Sequence, residues 1–491
     1  MRLLHRTEPW TEPARAFAAL YRDSPSAFWL DSSRPEKGAR FSFMGDASGP
    51  LGATISYDVA AGEVTVERGG QAARRRESIF DYLESEPRRL PAAGLPFEFQ
   101  CGFAGYLGYE LKADCGAARG HRSELPDAAF VFAARMLAFD HEERQAHLLC
   151  LSEPEGEAEA QGWLERAAAA IAAAPPPPAP ASEAAHDFRL ERGRGRYLAD
   201  IAACKEHLLD GDSYEICLTN RIAAACDADP LALYMELRRI NPAPFASYLR
   251  FGDLAVLSSS PERFLRVDRG GRVETKPIKG TAPRGGSPAE DARLGEELRT
   301  SEKNRAENLM IVDLMRNDLG AVCQVGSVAV PSLMEVETYE TVHQLVSTVC
   351  GQLRPDATEL DGVRACFPPG SMTGAPKLRT MEILDRLEGR ARGPYSGAIG
   401  YFASGGGCDL SVTIRTIVLA AGEASIGAGG AITLQSDAHN ELREVLLKAY
   451  APMRALSFLA ANRGVPAGGT KYSGESLSQN GEFGQMLDLL N

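Results

Sequence analysis

The sequence predicts an α+β fold, and three observations support this prediction. The first part of the chain contains short alternating apolar and polar stretches, such as 53–57, which is the period-two pattern of β-strands. The second part alternates helical patterns at 195–210 and 287–300 with strand patterns at 254–258 and 410–420. A proline tract separates the two parts. The sequence therefore predicts two unequal parts, each of which mixes strands and helices.

The proline tract defines the expected organisation of the chain. It follows an alanine-rich helix end in ERAAAAIAAAPPPPAPASEAAH, and four successive prolines favour an extended, semi-rigid connector. The final stretch of the chain is rich in glycine and serine and is expected to be mobile. We therefore divide the sequence into an N-terminal region (1–174), a linker (175–186), a catalytic region (187–461) and a C-terminal tail (462–491).

Composition and charge exclude several classes of protein. The formal net charge of −13 argues against a nucleic-acid-binding protein, and it means that an anionic substrate needs a local cationic or metal site. The sequence has no apolar run of about 18 residues, so no membrane span is expected, and MRLLHRTEPWTEPARAF lacks the apolar core of a signal peptide. The ten cysteines form no Cys-x-x-Cys pair, which favours reduced thiols and a cytoplasmic location.

Two candidate reactive side chains lie in the second part, one in a loop after a predicted strand and one in a short apolar strand closed by a glycine turn. Glu262 lies in SSSPERF just after Pro261, where a carboxylate is usually solvated. Lys279 lies in TKPIKGTAPR, where a lysine usually extends to the surface. If the lysine amine were held in a dry site, burial would lower its pKa and make it a nucleophile. The residues alone do not separate these readings.

Two further carboxylates lie on predicted helices. Glu307 in ENLMIVDLMRNDLG shares a helical face with Met310, Ile311 and Leu314, so its carboxylate requires a partner, a hydrogen bond or a metal ion. Glu444 lies in ELREVLLKAY, where the ordinary reading is a solvated helix face. A structural salt bridge and a metal ligand both remain open for Glu307.

Two glycine-rich segments suggest nucleotide binding but fail its spacing. PPGSMTGAPKLRTMEILDRL leads a glycine loop into a helix whose free N–H groups suit an anion, but it does not match the phosphate-loop pattern. GAGGA is separated from the next helix by strand-like and polar residues, so its glycines do not open that helix. Nucleoside triphosphate binding and dinucleotide-dependent oxidoreductase chemistry are therefore rejected.

The motifs SPERF, PIKGT, VDLMRNDLG, SMTGAPK, GAIGYF and GAGG…LLKA resemble, in this order, those of the chorismate-binding family. This family includes anthranilate, aminodeoxychorismate, isochorismate and salicylate synthases, and the resemblance covers about 190–461. FWLDSS, RFSFMGD and CGFAGYLGYE also resemble the N-terminal region that these synthases share. The resemblance implies the chorismate-utilising synthase fold, in which two large antiparallel β-sheets pack as a sandwich with helices on the outside.

The resemblance also implies a magnesium-dependent reaction on chorismate. Glu307 and Glu444 would hold the Mg²⁺ that binds the ring carboxylate, which suits a hard dication. Glu262 would donate or accept a proton at the departing 4-hydroxyl, with His343 and Thr373 near the ring. The remaining substrate-binding residues would be Gly280, Thr281, Tyr395, Arg415, Gly427, Ala428 and Gly429. Among these, Arg415 has the fork geometry for a carboxylate.

Position 279 separates the branches of the family. Anthranilate and isochorismate synthases carry alanine in this motif, whereas the aminodeoxychorismate branch carries lysine. The implied mechanism has Lys279 attack C2 of chorismate while Glu262 assists loss of the 4-hydroxyl, after which ammonia adds at C4 and expels the lysine. This transferase reaction leads towards p-aminobenzoate and folate, and we expect the amine pKa to be lowered for it. Anthranilate synthase is the alternative enzyme.

A non-catalytic chorismate- or tryptophan-binding regulator is the alternative from another class. The joint presence of Glu262, Lys279, Glu307 and Glu444 argues against it. The sequence contains no Gly-x-Cys-x-Gly nucleophile followed by a His-x-Glu pair, so we expect ammonia from a separate glutaminase (amidotransferase) subunit.

The sequence departs from the family pattern in two places. GDSYEICLTN carries Glu215 and Cys217 where many members have glutamine and asparagine. LDSS replaces the more usual LLES of a tryptophan pocket. The candidate tryptophan pocket in this chain comprises Ser32, Arg40, Phe41, Pro244, Phe245 and Ala246.

Overall fold

The computed structural model describes residues 1–33, 39–86, 94–176, 187–339 and 342–461. Within them the α-helices are α1 (Pro13–Tyr21), α2 (Ile79–Ser85), α3 (Glu157–Ala172), α4 (Arg194–Leu209), α5 (Pro230–Ile240), α6 (Pro288–Thr300), α7 (Glu302–Gly320), α8 (Glu359–Cys366), α9 (Lys377–Glu388) and α10 (Ala438–Ala461). Three short 3₁₀ helices span Tyr109–Cys115, Pro154–Gly156 and Gly370–Met372.

The strands of the N-terminal region are β1 (Arg2–Pro9), β2 (Ser26–Asp31), β3 (Phe41–Asp46), β4 (Ala53–Asp58), β5 (Glu63–Arg68), β6 (Gln71–Arg75), β7 (Gly102–Leu107), β8 (Ala128–Ala133), β9 (Arg135–Asp140) and β10 (Gln145–Ser152). The later strands are β11 (Arg189–Leu190), β12 (Glu215–Ala225), β13 (Phe245–Phe251), β14 (Leu254–Ser260), β15 (Arg263–Val267), β16 (Arg272–Thr275), β17 (Ile278–Pro283), β18 (Ala329–Thr338), β19 (Val342–Gln352), β20 (Gly374–Ala375), β21 (Ala398–Ala403), β22 (Cys408–Val412), β23 (Thr416–Ala420) and β24 (Glu423–Ile432).

These strands form two antiparallel sheets, each with twelve strands in the described residues. The first sheet has the order β1-β10-β9-β3-β2-β13-β14-β23-β24-β12-β11, with β20 paired to β12. The second has the order β17-β19-β16-β15-β22-β21-β7-β8-β4-β5-β6, with β18 paired to β19. The predicted α+β fold with two large antiparallel sheets is therefore confirmed.

The two sheets share a core, and helices cover the other face of the first sheet. Phe28 and Val256 of the first sheet join one buried cluster with Tyr106 and Tyr401 of the second. Trp29, the neighbour of Phe28, packs instead in a cluster that includes residues of α1, α3, α4, α5 and α10. Successive side chains of a strand point to opposite faces, so strands buried on both faces need the continuous apolar runs that the sequence contains.

Both sheets contain strands from both sides of the proposed linker. In the first sheet β2 pairs with β13, with Asp31 opposite Ala246. In the second sheet β7 pairs with β21, with Gly105 opposite Gly400. Residues 177–186 of the linker and the whole tail 462–491 lie outside the described residues. The division of the sequence stays a prediction, and it does not divide the sheets.

Several local expectations can be compared with the observed elements. The predicted helices at 195–210 and 287–300 correspond to α4 and α6, and α6 begins where the Ser287 hydroxyl accepts a hydrogen bond from the Glu290 N–H at 3.3 Å. The single strand predicted at 410–420 is wrong, because the chain forms β22 and β23 with a break between them. None of the described helices has the length and hydropathy needed to cross a bilayer.

Candidate active site

The candidate reactive side chains Glu262 and Lys279 lie near the start of β12. Strand β20 pairs with this end, with Gly374 opposite Ile216, and the Cys217 N–H donates to the Thr373 carbonyl at 2.9 Å. The SMTGAPK loop therefore lies against β12. The Thr373 side chain is fully buried, and its hydroxyl donates to the Gly370 carbonyl at 3.2 Å. Its contacts stabilise the loop, and its role near a substrate ring stays a prediction.

Lys279 reaches this place through an irregular segment of β17. The pairing of β17 with β19 shifts by one residue between Ile278 and Thr281, and Gly280 within this bulge has a φ of 89°. A Cβ atom at Gly280 would lie 2.8 Å from Asn304 and 2.9 Å from Leu298. A bulge redirects side chains, and only glycine fits this conformation and this close approach. The PIKGT sequence thus explains how the lysine leaves the ordinary alternation of the strand.

The Lys279 amine forms a buried ion pair with Glu215. Its Nζ donates to Glu215 Oε1 at 2.6 Å, and the two side chains are 11% and 1% exposed. Burial lowers the pKa of Lys279, but the charges of Glu215 and Glu307 outweigh it and raise the pKa above its ordinary value. The expectation of a lowered lysine pKa is therefore wrong, because these carboxylates stabilise the ammonium form.

Glu262 lies in the loop between β14 and β15 and is 7% exposed. Burial raises its pKa to about 7, against the opposing effects of the Ser371 hydroxyl, Lys279, the Ile278 N–H and Lys448. The ordinary reading of a solvated carboxylate is wrong for this residue. A carboxyl group that titrates near neutral pH can both donate and accept a proton.

Glu307 and Glu444 face this region from α7 and α10. Glu307 is 8% exposed, and its Oε1 atom has no hydrogen-bond partner among the described residues; the Lys303 amine lies 3.7 Å away. Burial raises the pKa of Glu307, and the charges of Glu215 and Glu444 act in the same direction. Glu444 is partly exposed, and its Oε1 accepts a hydrogen bond from the Lys448 amine at 2.8 Å.

The chemistry of these carboxylates is compatible with an open magnesium site, which stays a prediction. A buried carboxylate oxygen without a partner is costly, and Mg²⁺ is commonly held by one or two carboxylates with water and substrate as the other ligands. No three His, Cys, Asp or Glu side chains of the described part form a closed metal cage. Glu441, one turn before Glu444, is also buried, and its Oε1 lies 3.2 Å from the Lys303 amine. The sequence analysis missed it, although a second glutamate three residues away was a usable signal.

Arg415 supplies a cation that has no ion-pair partner in the described part of the chain. It lies in the break between β22 and β23 and has a φ of 53°, and its backbone carbonyl accepts from the Ser259 N–H at 3.2 Å. Its guanidinium makes no hydrogen bond or salt bridge with another described residue. Burial lowers the pKa of Arg415, although Tyr395 and Glu444 oppose this effect. An unpaired guanidinium in such surroundings suits an anionic ligand.

The glycines of β24 allow close approach of other groups. A Cβ atom at Gly427 would lie 2.2 Å from the Tyr395 ring, and one at Gly429 would lie 2.7 Å from the Leu218 carbonyl. The Gly429 carbonyl accepts a hydrogen bond from the Lys448 amine at 3.0 Å. Ala428 packs in the helix-side core, so only its backbone could face a ligand.

The two predicted residues His343 and Thr281 differ in exposure. His343 is 3% exposed, and its ring nitrogens lie 2.9 Å from Asp291 Oδ1 and 2.9 Å from the Thr338 hydroxyl. Asp291 also accepts a hydrogen bond from Arg284. These contacts tie His343 to α6 and β18, and its role near the ring stays a prediction. Thr281 is exposed on β17.

The six residues of the candidate tryptophan pocket line one cavity of about 270 Å³. Neither Lys279 nor Glu215 is among its lining residues. Charged and aromatic side chains complete its wall, including Arg263, whose Nε donates to Asp409 Oδ1 at 2.9 Å and whose guanidinium lies 5.1 Å from the Phe245 ring centroid. The structure thus gathers the predicted set around one space. Its ligand stays a prediction.

The fold, the motifs and the matching family model define the class of protein: the chain belongs to the family of chorismate binding enzymes, whose model matches residues 28–454. Aminodeoxychorismate synthase from Streptomyces pristinaespiralis is 53% identical over 90% of this chain and 63% of its own length. The enzyme of the same name from Streptomyces griseus is 50% identical over 90% and 62%. This chain therefore spans less than two thirds of the length of these two relatives.

Other relatives are more distant. Anthranilate synthase component 1 from Thermus thermophilus is 35% identical, with 91% of this chain and 96% of that protein covered. The crystal structure of anthranilate synthase component I from Streptococcus pneumoniae superposes with a TM-score of 0.72 at 29% identity, covering 86% of this chain and 93% of that one. The menaquinone-specific isochorismate synthase of Escherichia coli gives a TM-score of 0.69 at 17% identity, with 92% and 94% covered, and supports the fold alone.

Proposed function

We propose that the chain converts chorismate and ammonia to 4-amino-4-deoxychorismate, the reaction of an aminodeoxychorismate synthase. The observation that carries this proposal is Lys279, a buried amine whose charge interacts with Glu262, a carboxyl group with a pKa of about 7. The relatives named aminodeoxychorismate synthase are 53% and 50% identical, against 35% for the anthranilate synthase of Thermus thermophilus, which favours the same activity.

The charged groups provide a way to bind a dianionic substrate to an acidic protein. The Arg415 guanidinium would pair with a substrate carboxylate, because it has no partner in the described residues and presents a planar fork. Mg²⁺ held by Glu307 and Glu444 would supply positive charge for the ring carboxylate. Tyr395 and the flat surface of Gly427 would form one wall of the site.

Lys279 and Glu262 would perform the first displacement. After losing a proton, the Lys279 Nζ forms a bond to C2 of chorismate, both ring double bonds shift, and the C4–O bond breaks. Glu262 gives its proton to the departing hydroxyl, which leaves as water.

The second displacement returns the enzyme to its starting state. Ammonia forms a bond to C4, both ring double bonds shift back, and the C2–N bond to Lys279 breaks. The Glu262 carboxylate then takes a proton from the new C4 ammonium group. Because the tethered amine occupies the approach to C2 at a high effective concentration, dissolved ammonia is directed to C4.

The source of ammonia belongs to the same proposal. At neutral pH free ammonia is almost entirely ammonium, so the nucleophile is best delivered by a glutaminase (amidotransferase) subunit. No disulfide joins the cysteines of the described residues, which suits a reducing cytoplasm. The proposed product would serve p-aminobenzoate and folate biosynthesis.

Product analysis with chorismate, ammonium and Mg²⁺ tests the proposal. We expect 4-amino-4-deoxychorismate from the wild type and a chorismate-derived adduct on Lys279 by peptide mass spectrometry. Lys279→Ala should lose the adduct and slow formation of the para product by about 100-fold or more. The matched control is Lys276→Ala, which removes a neighbouring lysine that pairs with Glu337 at 3.3 Å and should leave both measurements unchanged.

Other products would contradict the proposal in distinct ways. Anthranilate as the wild-type product would assign the chain to the anthranilate synthases. An adduct on Lys276 would remove Lys279 from the mechanism. Chorismate binding without turnover would indicate a regulator.

A further inference from the structure

Glu215 forms a buried hydrogen bond with Lys279, the proposed nucleophile. Its Oε1 accepts the hydrogen bond from Nζ at 2.6 Å, and its side chain is 1% exposed. Its other oxygen, Oε2, is buried and has no hydrogen-bond partner among the described residues. One oxygen of this carboxylate thus binds the amine, while the other is free to accept a further hydrogen bond or a proton.

The proposed attack on C2 requires that the lysine lose a proton. An ammonium nitrogen has no lone pair to form the new bond. Within the described chain, the Glu215 carboxylate is the group in hydrogen-bond contact with Nζ. The other charged or titratable groups facing Lys279 act at longer range: Glu307 of α7, Cys217 of β12, Glu262 of the β14–β15 loop, and Glu444 of α10.

We propose that Glu215 accepts the proton of Lys279 when chorismate is attacked and returns it when the lysine is expelled. This inference rests on the proposed function, since it concerns the same covalent step. It assigns the start of β12 an acid–base role that complements Glu262: Glu215 serves the nucleophile, and Glu262 serves the leaving group.

The proton and electron count closes over one turnover. The Lys279 ammonium gives one proton to Glu215, and the free pair on Nζ forms the C2–N bond while Glu262 protonates the hydroxyl that leaves from C4. When ammonia forms the C4–N bond, the C2–N bonding pair returns to Nζ as a neutral amine. Glu215 then gives its proton back to this amine, and Glu262 takes one from the new ammonium group. The net reaction is chorismate plus ammonia to 4-amino-4-deoxychorismate plus water.

This arrangement predicts a particular pH dependence. In the wild type the proton moves within the Lys279–Glu215 pair, so the reactive fraction of the pair does not depend on bulk pH while the pair holds one proton. If position 215 cannot accept a proton, the lysine must release it to solvent. The reactive fraction then rises with pH until the lysine is neutral.

The experiment measures single-turnover formation of the Lys279 adduct without ammonia, by rapid quench and peptide mass spectrometry, in the wild type and in Glu215→Gln. We expect the ratio of variant rate to wild-type rate to rise about tenfold per pH unit from about pH 6 to about pH 9. The titration of Glu262 affects both proteins alike and cancels in the ratio. Glutamine has nearly the volume of glutamate, so a merely structural role would change the rate by a factor that is constant with pH.

Two further variants complete the test. Glu215→Asp keeps the carboxylate and should follow the wild-type pH profile at a lower rate. Glu337→Gln, in the half-buried Lys276–Glu337 pair beside the same strand, should leave rate and profile unchanged. Parallel profiles for the wild type and Glu215→Gln would overturn the inference. Absence of any adduct in the wild type would instead overturn the proposed function, so the two failures are distinguishable.

Discussion

Two buried clusters of charge in this molecule differ in how completely they are satisfied. Arg392 and Glu388 are 3% and 6% exposed, and two guanidinium nitrogens donate to Glu388 at 2.8 and 2.7 Å. The remaining donors of Arg392 bind the carbonyls of Met372 and Cys217 and the Ser396 hydroxyl, and Glu388 also accepts from Thr219. Around Lys279, in contrast, one buried oxygen of Glu215 and one of Glu307 have no hydrogen-bond partner in the described residues.

The difference separates a structural network from a binding site. Arg392 ties the 370–373 loop to β12, so its charge is used entirely to hold two chain segments together. The carboxylates near Lys279 retain unsatisfied capacity, which is costly unless a ligand uses it. Loss of a charge should therefore affect stability in the first cluster and activity in the second.

The largest effect is expected in the Arg392–Glu388 cluster, whose charged groups are all hydrogen-bonded. Glu388→Gln leaves the Arg392 guanidinium buried without its counter-charge, which should lower the free energy of unfolding by about 3–5 kcal/mol. Urea denaturation checks this value. The control is Glu382→Gln, a half-exposed residue of the same helix that pairs with Arg379 at 3.1 Å and should cost less than about 1 kcal/mol. Equal costs for the two variants would erase the contrast.

The second effect should appear in activity alone. Glu307→Gln removes a charge that has no hydrogen-bond partner on Oε1, so turnover at saturating chorismate should fall by about 100-fold or more while the melting temperature is kept or raised. Excess EDTA should inactivate the wild type in the same assay. Asp313→Asn, an exposed position of the same helix that pairs with Arg316 at 3.2 Å, is the control for both measurements. A destabilised but active Glu307→Gln would identify Glu307 as structural.

The smallest effect concerns the candidate tryptophan cavity, which has paired charges like the first cluster but also room for a ligand. Its arginines are paired, Arg40 with Asp140 and Arg263 with Asp409, but it retains a space of about 270 Å³. Saturating tryptophan should raise the melting temperature by about 1–2 °C. Ala246→Leu, which fills the cavity, should remove the shift. An unchanged wild-type melting temperature would leave this cavity without its predicted ligand.

The sequence was sufficient where function depends on local pattern. The order of the motifs led to the two-sheet fold and to the family, and PIKGT marked a lysine beside a glycine turn. It was not sufficient for the sign of the Lys279 pKa, because Glu215 and Glu307 come from other elements and their approach is set by packing. The break at Arg415 was hidden as well, since the residues around it are apolar enough to continue the strand. Propensity cannot detect a turn that tertiary contacts impose.

The pairing of β2 with β13 has a consequence for how the chain reaches its fold. The centre of the first sheet joins β2 to β13 of the catalytic region, so one edge of β2 has no partner until the chain has been synthesised beyond β13. The other edge of β2 pairs with β3, and β3 pairs with β9, within the N-terminal region. Contacts between distant parts of a chain form slowly, because the entropy cost of closing the loop comes before the favourable energy of the contacts. Strand β2, which carries Phe28 and Trp29, must therefore present that edge unpaired during the interval, and such an edge is the kind of segment that chaperones shield during synthesis.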